Sequence, residues 1–177
     1  MLVLLFWIGK ERWAIAAADI VDIIPYVALQ SLPHSNQQLS GLVNYRSQQV
    51  PVVDVAQWLG QSASPQSMST RIALVNAPTE TADSNGECNS QTTQLLGLIL
   101  DRACETMVLS TQSILPSSHD LVKATIVGPS EEMVQQLSIA PIAQKVFGAA
   151  STAERLADPP IDMFSSVNGI TQMIGAQ

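Results

Sequence analysis

The sequence predicts an all-β fold of small antiparallel barrels. Short apolar runs recur along the chain, and turn signals containing Gly, Pro, Ser and Asn separate them, which is the pattern of many short strands joined in sequence. A faint internal repeat predicts two similar lobes, because Gln30-Ser31-Leu32-Pro33 is answered by Ser113-Ile114-Leu115-Pro116. The 177 residues are enough to bury one core or two small ones.

Composition and charge exclude several classes of function. Hydrophobic residues make up 46% of the chain and charged residues 13%, which predicts a globular protein. The formal net charge is −7, and no basic run occurs. Nucleic acids and acidic membrane surfaces are held by clustered cations, so we expect neither as a partner.

The apolar N-terminus, Met1–Ile8, predicts a core strand and not a secretory signal, because no basic residue precedes it and Lys10–Arg12 follow almost at once. No other stretch approaches the ~20 apolar residues of a membrane span. We therefore expect a cytoplasmic protein without direct membrane insertion. Cys88 and Cys104 form no C-x-x-C pattern, so neither a disulfide framework nor a metal site is predicted.

The most informative stretch is Gly41–Gly60. Two apolar runs flank a polar break at residues 46–49, which predicts a β-hairpin with Arg46 at its bend. Asp54 then caps a short helix that Gly60 ends. The apolar residues of this helix share one face: Val55, Trp58 and Leu59.

The other elements are predicted from apolar periodicity and turn residues. Residues 19–24 fit either a short helix or a bent strand, and residues 77–94 are polar enough to predict a loop insertion outside the core. We expect one domain over residues 1–148 and a C-terminal extension, residues 149–177, that packs weakly or frays. The remaining strands are predicted at residues 2–8, 13–17, 72–75, 95–101, 107–109, 124–127 and 133–139, and a helix at residues 142–147 that ends at Gly148.

A family resemblance rests on the same stretch. Gly-Leu-Val-Asn-x-Arg, then Val-Pro-Val-Val-Asp-Val and a closing Leu-Gly, resembles the signature of CheW-like domains, the adaptors that couple chemoreceptors to CheA-type histidine kinases. Leu4–Leu32 and Gly97–Glu105 are similar to that family too, and the resemblance covers roughly residues 2–147. It implies two SH3-like five-stranded β-barrel lobes with short helices, side by side, and a groove between them.

The resemblance also implies a function. The chain would be a non-catalytic adaptor whose partners are a CheA-type histidine kinase, the cytoplasmic tip of a chemoreceptor and, as a further option, other CheW-like domains. Its partners would hold it at membrane receptor arrays, and no cofactor is implied. The implied protein-binding face has three apolar anchors, Ile20, Ile23 and Val43. Its charged rim groups are Asp22 and Arg46, and Gly41 and Asn44 shape the hairpin.

Alternatives remain open for Arg46 and for the whole chain. From the residues alone, an ion pair with a nearby acid such as Asp54 explains the arginine, whereas the resemblance favours contact with a partner. Asp101 and Arg102 match a segment of the second lobe, where an internal ion pair is an equally simple explanation.

Three positions depart from the family pattern. Ser47 stands where glycine usually follows the arginine, Tyr45 where an aliphatic residue is usual, and Ser138 where an aspartate commonly precedes the final helix. These departures leave room for a structural module that pairs with itself and does not couple to a kinase. A small hydrolase or ligand-binding barrel is the remaining alternative.

No catalytic constellation is found. His34 and His119 lie in polar loops without a motif around them, and the sequence holds no nucleophile motif and no phosphate-binding loop. A catalytic site needs an acid, base or nucleophile within reach of one another. We therefore expect no enzymatic activity, no metal and no cofactor.

Overall fold

The chain folds mostly into β-strands, which confirms the predicted fold class. The computed structural model describes residues 1–31, 39–82, 88–108, 114–115, 120–127 and 133–154. Its strands are β1 Leu2–Ile8, β2 Glu11–Ala16, β3 Ile20–Pro25, β4 Gly41–Tyr45, β5 Gln48–Asp54, β6 Arg71–Ala82, β7 Cys88–Val108, β8 Ile114–Leu115, β9 Val122–Val127 and β10 Met133–Leu137. Its helices are α1 Val55–Trp58 and α2 Ala140–Glu154, and a 3₁₀ turn spans Ala17–Asp19.

The strands form two groups that share the long strand β7. In the first, which we call the N-terminal lobe, the order is β3-β6-β7-β5-β4, with the N-terminal part of β7. In the second, the C-terminal lobe, it is β7-β1-β2-β10-β9-β8, with the C-terminal part of β7. The similarity of two lobes, expected from the internal repeat, and the closure of each lobe as an SH3-like barrel stay predictions.

Strand β1 lies between β2 and β7, and both of its faces are buried because each packs into a different core cluster. Val3 and Leu5 belong to the core cluster of the C-terminal lobe. Leu4, Phe6 and Ile8 belong to the largest cluster, which also takes in residues of β6, β7 and α2. A strand covered on both faces has no polar alternation, which explains the uninterrupted apolar run at the N-terminus.

Residues 77–94 do not form the predicted loop. β6 and β7 pair continuously from Arg71 opposite Leu100 to Ala82 opposite Cys88, and only residues 83–87 between them lie outside the description. Ala77 is fully buried in the largest cluster, and Thr79 is buried too. The prediction was wrong because it weighed polarity alone. Threonine favours strands, and a half-covered strand needs few apolar residues.

Helix α2 extends beyond its predicted end at Gly148 and runs to Glu154. It packs on β6, with Ile142 and Ala143 fully buried and Phe147 partly buried against the same cluster. The residues after Gly148 include Ala149 and Ala150, which are the strongest helix formers. A glycine in the middle of such a run weakens the helix without ending it. The rest of the predicted extension, residues 155–177, lies outside the described residues.

The stretch 19–24 is a strand and not a helix. The 3₁₀ turn leads into β3, whose residues alternate between half-buried and exposed and end at Pro25. The short helix after the β4–β5 hairpin is as predicted, because the Asp54 carboxylate accepts a hydrogen bond from Ala56 N at 3.0 Å and Gly60 adopts φ +76°. His34 and His119 lie outside the described residues.

Candidate protein-binding site

The β4–β5 hairpin presents Arg46 at its tip. Tyr45 pairs with Gln48 across a two-residue turn, in which φ is +49° at Arg46 and +66° at Ser47. Positive φ at both central residues is what a type I′ turn requires, and this turn matches the twist of the strands it joins. The left-handed region costs a non-glycine residue roughly 1–2 kcal/mol. The strand pairing therefore imposes this turn even with serine at the usual glycine position.

The Arg46 side chain is exposed and lies over the ring of Tyr45, with 4.9 Å between Cζ and the ring centroid. Asp54 is not its partner, because the Asp54 oxygens accept hydrogen bonds from Ala56 N and from the backbone and hydroxyl of Ser64. Within the part of the chain that the structure describes, Arg46 forms no ion pair and no hydrogen bond through its side chain. Its guanidinium donors remain available to another molecule.

Asp22 connects β3 to the ring that supports Arg46. The Tyr45 hydroxyl donates a hydrogen bond to Asp22 Oδ2 at 2.8 Å, and the backbone N–H of Ile23 donates to Asp22 Oδ1 at 2.8 Å. Each carboxylate oxygen therefore accepts one hydrogen bond within the chain. The charge of Arg46 also acts on Asp22, and the role of Asp22 as a rim group stays a prediction.

These contacts shift the pKa of both side chains. The hydrogen bond from Tyr45 is the main reason why the pKa of Asp22 lies below its ordinary value, with smaller contributions from Ile23 N–H and from the positive charge of Arg46. The same hydrogen bond raises the pKa of Tyr45, because it favours the neutral phenol next to a carboxylate. The charge state Asp22⁻ with neutral Tyr45 is thus stabilised near neutral pH.

Strand β3 and the residues after it expose apolar side chains. Val21 and Ile23 of β3, and Val27 beyond its end, are large hydrophobic residues with 40–43% of their surface exposed. The role of Ile23 as an apolar anchor stays a prediction. Ile20 is half-buried and packs against the largest core cluster, so it contributes to the fold as well as to the surface.

The three residues predicted on β4 differ in position. Val43 is only 6% exposed in the core of the N-terminal lobe, so it is not an anchor on an open face. Asn44 is exposed opposite Gln49. Gly41 has φ +150°, and a Cβ there would lie 2.8 Å from the backbone oxygen of Gln30. Gly41 therefore serves a close approach of the chain to itself.

Sequence reasoning missed Tyr45 and Val21 as members of this surface. Tyr45 was recognised only as a departure from an aliphatic position, and no pattern in the sequence pairs it with Asp22. Val21 belongs to the exposed set because β3 is a strand, whose alternate residues share a face. Had the strand alternative been preferred over the helix, Val21 and Ile23 would have been grouped.

In the C-terminal lobe, Asp101 and Arg102 form the internal ion pair that was one of the two interpretations of this segment, with Arg102 Nε donating to Asp101 Oδ2 at 3.1 Å. Among the described residues, no three His, Cys, Asp or Glu side chains group as a metal site. None of the helices in the described ranges has both the length and the apolarity needed to cross a membrane.

Two groups of strands share a central strand, β3 exposes apolar side chains, and an arginine with no ion pair among the described residues stands at a hairpin tip. These features describe a β-sheet domain with a surface suited to binding another protein. The chain belongs to the CheW-like domain family, whose model matches residues 2–147. It is similar in structure to the scaffolding protein TtCheW from Thermoanaerobacter tengcongensis, with a TM-score of 0.65, 19% sequence identity, and coverage of 78% of this chain and 84% of that one. No curated protein matches the sequence.

Proposed function

We propose that this protein is a non-catalytic adaptor that couples chemoreceptors to a CheA-type histidine kinase. The observation that carries the proposal is the family match, which spans both lobes and includes the Arg46 hairpin. The adaptor acts on the cytoplasmic side of membrane receptor arrays and is held there by its partners. Binding two proteins at once raises their effective concentration for each other and lets a receptor state alter the kinase through shared contacts.

The surface of β3 and the hairpin tip favour the receptor as the partner at this site. Helical partners bind by apolar anchors surrounded by charged groups. Val21 and Ile23 offer exposed apolar side chains, and Arg46 offers an exposed positive charge whose field reaches Asp22 of the same strand. We assign the kinase to a barrel-to-barrel contact with the other lobe, which leaves the receptor site accessible.

Reconstitution from purified components tests this function. The full chain is mixed with a CheA-type kinase and the cytoplasmic tip of a receptor from the same genome, and kinase autophosphorylation is measured with and without the adaptor. We expect the adaptor to make kinase activity depend on the receptor. Arg46→Ala should reduce this dependence, whereas Gln57→Ala, which shortens an exposed side chain on α1, should preserve it. Unchanged kinase activity with the wild-type adaptor would refute the proposal.

A structural module that pairs only with itself is the second candidate, since three positions depart from the family pattern. Such a module would bind neither kinase nor receptor, and size-exclusion chromatography of the adaptor alone would show a stable oligomer. The Ser47 departure has no visible effect on the hairpin, because the turn retains positive φ at both positions. The serine at position 47 therefore does not support a loss of coupling to the kinase.

A ligand-binding barrel has weaker support. A polar cleft of about 640 Å³ is lined by residues that include Tyr26, Asp54, Ser64 and Gln66. Most of these groups already bond to one another, because Asp54 accepts from Ser64 and the Tyr26 hydroxyl accepts from Gln66 Nε2 at 3.1 Å. Polar groups that are paired within the protein offer a ligand little to gain.

A further inference from the structure

The hydrogen bond between Tyr45 and Asp22 joins two strands that share no backbone pairing. β3 pairs with β6, and β4 pairs with β5. The described chain makes one backbone bridge beside them, between Gln30 and Leu42, at the far end of β4 from the turn. At the end nearest the turn, the hairpin tip and β3 are joined by this hydrogen bond and by apolar packing, because Tyr45 and Ile24 lie against the same core cluster. Removing the hydroxyl would loosen the tip without breaking a strand pairing.

The ring of Tyr45 contacts the Arg46 guanidinium, and its hydroxyl is hydrogen-bonded to Asp22. The guanidinium rests on one face of Tyr45, while the hydroxyl of Tyr45 is fixed to a carboxylate that is itself fixed by Ile23 N–H. A long arginine side chain on an exposed turn loses conformational freedom when it binds a partner. A ring that already restrains the guanidinium removes part of that loss in advance.

We propose that Asp22, Tyr45 and Arg46 form one recognition unit, in which Arg46 binds a carboxylate of the partner and Asp22, acting through Tyr45, is a positioning residue. The planar fork of guanidinium donors matches a carboxylate in two parallel hydrogen bonds. This inference rests on the proposed adaptor function and adds to it the chemistry of the group recognised and the role of Asp22. It also replaces the expectation that Asp22 touches the partner directly.

The first experiment needs no partner and therefore tests positioning whatever the function is. NMR relaxation of the Arg46 Nε–Hε group in the full chain reports how restrained the guanidinium is. Tyr45→Phe keeps the ring and removes the hydroxyl, and Asp22→Asn leaves one carbonyl oxygen for two donors. Both should make Arg46 more mobile. The control is Tyr26→Phe, which removes a hydroxyl from a tyrosine on the same core cluster. Equal mobility in all four proteins overturns the positioning role.

The second experiment measures affinity for the recombinant cytoplasmic tip of a receptor from the same genome. Arg46→Ala should weaken binding by about tenfold to a hundredfold, as expected for a charge-assisted hydrogen-bonded pair. Tyr45→Phe and Asp22→Asn should each weaken it by about twofold to fivefold at most, because the ring under Arg46 is retained and only its fixed position is lost, which cannot cost more than the whole exposed cation–π contact. In the Tyr45→Phe background, Asp22→Asn should cause no further loss, because Asp22 acts through the tyrosine hydroxyl.

The partner carboxylate is identified by neutralising each acidic residue of the receptor tip in turn. One such change should abolish the difference between the wild-type protein and Arg46→Ala. If no acidic residue couples to Arg46, the carboxylate assignment is wrong. If the wild-type protein does not bind the receptor tip at all, the proposed function fails while the relaxation measurement still decides the positioning role. If the double variant of Tyr45→Phe and Asp22→Asn lost as much receptor affinity as the two single variants lose together, the three residues would not act as one unit.

Discussion

Arg102 lies over the ring of Trp7 at 4.8 Å, almost the same distance as the 4.9 Å between Arg46 and the ring of Tyr45. Both arginines have φ near +50°. The difference is in charge, because Arg102 donates to Asp101 whereas Arg46 has no ion pair within the described residues. Two arginines with the same backbone conformation thus each lie over an aromatic ring, Tyr45 next in sequence for Arg46 and Trp7 on β1 for Arg102. Of these two, Arg46 is the one without an ion pair among the described residues.

This pair of arginines provides a matched test. Arg46→Ala and Arg102→Ala remove the same side chain from the same backbone conformation next to an aromatic ring. We expect Arg46→Ala to weaken receptor binding by about tenfold or more, and Arg102→Ala by less than about threefold, because an arginine already paired on the surface contributes little. Isothermal titration calorimetry on the full chain measures both. Equal losses would mean that the ion pair of Arg102 does not limit its availability.

The hairpin turn gives a prediction about stability. Ser47 has φ +66°, a conformation that glycine adopts without steric cost. Ser47→Gly should therefore stabilise the protein by roughly 0.5–1 kcal/mol, after allowing for the greater freedom of glycine in the unfolded chain. Urea unfolding measures the change, with Ser47→Ala as the control that retains the strain. A loss of stability in Ser47→Gly would show that the serine side chain makes a contact that outweighs the strain.

The elements that could be predicted from the sequence are those whose signal is local. The hairpin around Arg46 and the Asp54 cap depend on residues within a few positions of one another, so composition and spacing were sufficient. The longer extents of β6 and α2 were missed because they support each other across the sequence. Ala77 on β6 is buried in the same cluster as Ile142 of α2. The sequence around either residue does not show that it is buried, because each is covered by the other element.

The candidate site shows the same limit. Arg46 and Ile23 were named from the family motif and from apolar spacing. The contact that organises them, from Tyr45 to Asp22, joins residues 23 positions apart on strands that do not pair. Such a contact depends on how β3 packs against the β4–β5 hairpin, which local patterns do not encode. The burial of Val43 follows from the same cause, since only the packing of the strands shows which face of β4 is inside.

The pH dependence of stability should carry a signature of the Tyr45–Asp22 contact. The pKa of Asp22 lies below its ordinary value of 3.8 in the folded protein. Its contribution to stability is therefore complete above that value and is lost as the pH falls through the folded-state pKa. The pKa of Tyr45 lies above its ordinary value of 10.0. Its contribution is therefore complete below pH 10 and is lost as the pH rises through the folded-state pKa.

Urea unfolding of the wild-type protein, Asp22→Asn and Tyr45→Phe across acid and alkaline pH measures this dependence. We expect both variants to lose less stability than the wild-type protein on acidification, because neither contains the complete contact. Tyr45→Phe should also lose less above pH 10. Identical pH profiles for the three proteins would contradict the hydrogen bond. Tyr26→Phe is the control, and its acid profile should match that of the wild-type protein.

Gly41 should tolerate no side chain. A Cβ at this position would lie 2.8 Å from Gln30 O and from Leu29 Cβ, and its φ of +150° disfavours other residues. Gly41→Ala should destabilise the protein by about 1–3 kcal/mol, since backbone atoms must move. Gly148→Ala is the control, because a Cβ there meets nothing within 4 Å and the glycine lies inside α2. It should stabilise the protein by up to about 1 kcal/mol. Destabilisation by Gly148→Ala would place the end of the helix at Gly148.

A charge introduced on β6 distinguishes a packed strand from a polar insertion. Ala77 is fully buried in the largest cluster, and its neighbour Asn76 is exposed on the other face of the same strand. Ala77→Asp should destabilise the protein by about 3 kcal/mol or more, because a carboxylate would lie in the core without a partner. Asn76→Asp introduces the same group one residue earlier and should change stability by less than about 0.5 kcal/mol. Similar stabilities of the two variants in urea would mean that this stretch lies outside the core, as its composition first indicated.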